Sequence, residues 1–91
     1  MIVSAAVKYS YKDEIGLTIE QIMPVHRHGD CFIILKKLDI KDFIIETEGF
    51  FTEKGEFLDR REAADHAYEC GQLVETAEEP RVVILFSEDL W

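Results

Sequence analysis

Cations are scarce in this chain: ten Lys and Arg stand against nineteen Asp and Glu, a formal net charge of −9. Polymeric DNA and RNA are bound by neutralising phosphates with a basic patch, so this balance counts against a nucleic-acid polymer as partner. Cysteine is nearly absent. Cys31 and Cys70 form no C-x-x-C pair and are too few for a disulfide framework. No apolar run approaches the ~20 residues of a membrane span, and Met1-Ile2-Val3-Ser4 lacks the charged start of a secretory signal. The expectation is a reduced, cytosolic protein with no membrane partner. Glycine-rich phosphate loops are missing, and Ser4, Ser10 and Ser87 lack a nucleophile-elbow setting. Linkers, repeats and low-complexity tracts are missing too, which reads as a single domain over residues 1–91.

What is present suffices for a core. The chain is 47% hydrophobic, enough apolar surface to offset chain entropy. Ile2–Tyr9 reads as a strand, Ser10–Glu14 as a hairpin loop, and Gly16–Met23 as a half-buried return strand ended by Pro24. Gly29–Leu38 fits a helix, with Cys31, Ile34, Leu35 and Leu38 at i, i+3, i+4 and i+7 and Asp30 as its N-cap. Phe43–Ile45 and Gly49–Thr52 are short apolar runs, and Glu53–Glu56 before Phe57-Leu58 reads as a tight turn with Gly55 in a special conformation. Asp59-Arg60-Arg61-Glu62 spells a capping box. The helix it opens carries Ala63, Ala64, Ala67 and Tyr68 inward and stops at Gly71. Arg81–Phe86, apolar without alternation, reads as a strand buried on both faces. The order is β-β-α-β-β-α-β: an α+β fold, a mainly antiparallel sheet with two helices on one face.

Chemistry-bearing residues are few. His26-Arg27-His28-Gly29-Asp30-Cys31 begins like an H-x-H-x-D zinc motif, but the next position is Cys31 rather than histidine and only His66 remains to complete a site. No metal or other cofactor is expected. The same loop reads as an anion site, because Arg27 and His28 precede a helix start with unpartnered amides. In that reading Asp30 competes as cap or orients His28; an equal reading pairs Arg27 with a nearby carboxylate and leaves His28 simply hydrogen-bonded. Arg60 and Arg61 oppose the dipole of their helix, so they need an acidic ligand or the nearby Asp59, Glu62 and Asp65. Phe50 and Phe51 face opposite sides of a strand, one inward and one free to stack. Arg81 is the last cation with an inward view. Nothing singles out a nucleophile–base pair, so no enzyme is expected. Phe32, Ile33, Leu90 and Trp91 exceed what one small core needs and mark a subunit contact.

Five blocks carry a resemblance: Arg27–Cys31, Glu48–Thr52, Phe57–Ala64, Gly71–Leu73 and Leu85–Trp91. Together they resemble short bacteriophage proteins, most closely the first-described Thoeris anti-defence family, which sequesters cyclic ADP-ribose signals of bacterial immunity. That resemblance implies a non-catalytic sponge in the host cytoplasm, a homo-oligomer (a dimer or higher, such as a hexamer). It would hold a small anionic nucleotide-like ligand, with cyclic oligonucleotides at separate sites in some members. The ligand's flat base and pyrophosphate would be met by Arg27, His28, Asp30, Phe50, Phe51, Thr52, Arg60 and Arg81. The alternative is an acidic interaction or inhibitor module docking a basic partner.

Overall fold

The computed structural model describes residues 1–91. Its centre is β1 (Ile2–Lys12), which pairs antiparallel with β2 (Thr18–Val25) on one side and β3 (Ile44–Thr52) on the other. A three-residue β4 (Phe57–Asp59) adds to β3, giving the order β2-β1-β3-β4. Helices α1 (Asp30–Lys37) and α2 (Arg60–Glu69) cover the face that carries Ala5, Val7 and Tyr9. The expected α+β class holds.

Local chemistry explains the boundaries. The Asp13 carboxylate accepts from the amides of Ile15 (3.0 Å) and Leu17 (2.9 Å), closing the β1–β2 turn. The return strand runs through Pro24 to Val25, which an edge strand tolerates because the missing N–H breaks no inner ladder. Asp59 accepts from the Glu62 amide (2.8 Å) and Glu62 accepts from the Asp59 amide (3.2 Å), the expected capping box. At α1 the expected cap differs: Gly29 is the N-cap, and Asp30 instead accepts from the Arg27 amide at 3.1 Å. Gly55 and Gly71 are left-handed, at φ +80° and +78°, as expected.

Three small residues of α2, Ala63, Ala64 and Ala67, are fully buried and let its backbone lie close on the sheet. They join Ile2, Ala5, Val7, Tyr9, Val25, Cys31, Leu35, Phe50 and Leu85 in one core. It is thin: 18 of 91 residues are buried. The molecule measures 53 × 21 × 18 Å with a radius of gyration of 14.9 Å, above the about 12 Å of a compact chain this long.

One expected element is absent. Arg81–Phe86 is not a strand, and only Leu85 of it is buried. Its backbone is engaged elsewhere. The Val82 amide donates to the Tyr68 hydroxyl (2.9 Å), the Leu85 amide to the Arg60 carbonyl (3.0 Å), and the Leu85 carbonyl accepts from the Arg60 guanidinium (2.7 Å). Leu90 and Trp91 fold back on their own chain, where the indole donates to the His26 carbonyl at 2.8 Å. They thus dock on the chain's own surface, each remaining partly exposed.

Gly49 sits where β3 meets β4, and a Cβ there would strike the Leu58 carbonyl oxygen and the Phe57 ring. Gly49→Ala should cost about 1–3 kcal/mol, since backbone must move to relieve the overlap. Urea denaturation checks this; an unchanged midpoint would contradict the close approach.

Candidate functional site

The residues that open α1 face a polar node rather than solvent. His28 is buried, its ring edge-on to Phe50 at 5.0 Å, with Nε2 2.8 Å from the Gly49 carbonyl. A carbonyl only accepts, so Nε2 carries the proton in the neutral ring. Burial lowers the His28 pKa; the Gly49 bond opposes this, Arg60 adds to the lowering, and Glu48 and Glu88 oppose it. Arg27 reaches Ser87 Oγ (3.4 Å) and Glu88 (3.8 Å), so it ties the loop to the far end of the chain.

Arg60 is engaged on three sides. It donates to Glu48 of β3 at 2.7 Å and to the Leu85 carbonyl at 2.7 Å, and it lies 4.5 Å over the Phe86 ring. Arg81 pairs with Asp65 (2.9 Å) and covers Tyr68 at 4.4 Å on another side of α2. Phe50 is sealed in the core and out of a ligand's reach. Phe51, on the opposite face, rests edge-on against Phe57. Thr52 is buried, its hydroxyl accepting from the amides of Lys54 and Glu56 to hold the β3–β4 turn. The structure thus gathers Arg27, His28 and Arg60 around the C-terminal segment, and keeps Arg81 and Thr52 apart from them. Each of the three arginines has an internal partner. Arg61 belongs to no ion pair and lines an open groove of 410 Å³ with Arg60, but Glu46, Glu48 and Asp59 line it too.

A second concavity lies at the far end of the sheet. A 380 Å³ cavity is lined by Ser10, Tyr11, Lys12, Thr18, Lys41, Asp42 and Ile44. Lys12 ends β1 and Thr18 begins β2, so the hairpin sets them on one wall. Lys41 reaches the cavity from the α1–β3 loop. That loop turns back at Asp39 and Asp42, both at φ 57°, a left-handed conformation that aspartate tolerates better than most residues. The Asp39 amide bonds the Lys36 carbonyl and the Ile40 amide that of Leu35, a Schellman-type ending that fixes where the loop departs. Neither lysine belongs to an ion pair. Lys12, Lys41 and Asp42 also line an adjoining depression with Asp13, Glu14 and Asp39, whose carboxylates disfavour an anion there relative to the Ser10–Thr18 side. Sequence reasoning missed Lys12, Lys41, Ser10 and Thr18. The one local signal was that even-numbered β1 residues share a face.

Fold and cavities define a small α+β protein with one helix-covered sheet face and one open face, and no helix long and apolar enough to cross a membrane. Over residues 1–91 the chain matches the family described as Phage T4 y16D protein, and it belongs to that phage protein family. No curated protein and no solved structure matches it.

The polar node predicts a pH dependence. The folded state prefers neutral His28, so its contribution is complete above the unfolded value of 6.5, begins to be lost below it, and is gone once pH has fallen through the lower folded-state pKa. Urea midpoints from about pH 7.5 to about pH 5 should fall in the wild type and fall less in His28→Gln. Parallel profiles would contradict the assignment.

Proposed function

We propose that this phage protein binds and holds a small anionic, nucleotide-type ligand without changing it chemically, in the cavity between Lys12 and Lys41. The supporting observation is that Lys12 and Lys41 line one cavity and lie outside ion pairs, whereas Arg27, Arg60 and Arg81 are each paired with a carboxylate of the chain, Arg60 in a partly shielded pair and Arg27 and Arg81 at the surface. The hydroxyls of Ser10 and Thr18 on the same wall suit phosphate oxygens. The resemblance to the Thoeris anti-defence family supports a cyclic ADP-ribose isomer as the first ligand to try, with the phage using the protein to remove a host signal.

Holding rather than turnover is favoured by the two thiols. Cys31 is buried, and burial, then Glu48, push its pKa up, away from the nucleophilic thiolate. Cys70 donates to the Ala67 carbonyl (3.6 Å). A second reading, a module that docks a basic protein, draws on the net charge of −9 and on the uncovered sheet face with Phe51 and Phe57.

Calorimetry with cyclic ADP-ribose isomers tests the first reading. Wild-type protein should bind one of them and return it intact on heating. Lys12→Ala with Lys41→Ala should weaken binding about tenfold or more, the loss expected of charge-assisted hydrogen bonds. Arg81→Ala should leave it unchanged. Degraded ligand would make the protein an enzyme, and absence of binding by the folded protein would favour the docking module.

A further inference from the structure

The sheet has two open edges, and they differ in what they can accept. β3 is uncovered over Ile44–Glu48, because β4 pairs only with Gly49–Phe51. β2 is uncovered along all eight residues, and its outward N–H and C=O groups have no partner in the chain. Edge strands in monomers are guarded by charged side chains, proline, bulges or covering segments. β2 has Glu20 and, one residue from its end, Pro24, but Gln21–Met23 between them carry no guard. Its pairing with β1 is regular from Ala5↔Val25 to Lys12↔Thr18, it contains no lysine, and no strand pairs with its outer side. In a chain that is 32% charged, it carries one charge, Glu20.

We propose that two copies of this chain join antiparallel along β2, merging two four-stranded sheets into one of eight strands. The inference is independent of the ligand reading above. A two-fold axis perpendicular to the sheet sets one residue opposite its own copy, which leaves few registers. Centring on Glu20 opposes two carboxylates, and like charges directly opposite are destabilising. Centring on Ile22 brings Pro24, without an N–H, opposite Glu20 inside the ladder. Centring on Gln21 avoids both. It places Pro24 opposite Thr18 at the ladder's end, Ile19 opposite Met23, and Glu20 opposite Ile22. The β3 edge offers a second copy only five residues, and the one register that pairs all five sets Glu46 against itself. Charge pattern therefore selects β2 for self-association.

The register makes opposite substitutions behave oppositely. Ile22 is exposed on the open face, so changing it does not touch the core. Ile22→Glu would place a carboxylate against Glu20 of the other copy twice in the dimer, and should raise the dimer dissociation constant about tenfold. Ile22→Lys would place a cation there and should keep or lower it. Sedimentation equilibrium of wild type and both variants, each confirmed folded by circular dichroism, measures this. A wild type that stays monomeric at every concentration would overturn the proposal, as would two variants that weaken the dimer equally or leave it untouched. Calorimetry with the cyclic ADP-ribose isomers is read separately, so failure of one proposal does not mimic failure of the other.

Discussion

The Arg60 guanidinium is the contact on which the arrangement of this protein depends. Its two donors bind Glu48 of the sheet and the carbonyl of Leu85, and its plane lies over Phe86. One side chain thus fixes the start of α2, the outer part of β3 and the irregular C-terminal segment to one another. The pair is partly shielded from water, so the charges interact more strongly than an exposed pair, and losing one partner would leave the other half-desolvated. Leu85 enters the core beside this contact, and Ser87 and Glu88 then meet Arg27 at the other end of the chain.

This explains what the sequence made legible and what it hid. Both helices were readable because their signals are local: the stripe Cys31, Ile34, Leu35, and the reciprocal bonds of Asp59 and Glu62 within one turn. The turn at Gly55 and the stop at Gly71 were readable for the same reason. Arg81–Phe86 was not, because a run of apolar residues says that something will be buried without saying what its backbone will bond. Here α2 took the bonds that a neighbouring strand would have supplied. The partner of Arg60 was sought in Asp59, Glu62 and Asp65, nearest in sequence, but it is Glu48 across the sheet. Gln72 is a further case: its amide brackets Ile2 on both N–H and C=O, beyond the reach of β2, a pairing no local pattern announces.

The same logic moves the candidate site. Arginines near helix starts are the first candidates in the sequence, but the fold ties Arg27 and Arg60 to its own carboxylates and leaves Arg61 unpaired on an open groove. Lys12 and Lys41, which like Arg61 and the other lysines belong to no ion pair, lie far apart in the chain and are brought to one cavity by a hairpin and by a loop with two left-handed aspartates. A thin core, an elongated shape and helices on one side only leave surface for binding.

The central claim, that ligand binding falls to the lysine cavity and not to the arginine node, is tested most directly by mapping backbone amide shifts by NMR during titration with inorganic pyrophosphate. The account predicts that shifts concentrate at Ser10, Tyr11, Lys12, Thr18, Lys41 and Asp42. Shifts concentrated instead at Arg27, His28, Glu48, Arg60 and Leu85 would contradict it.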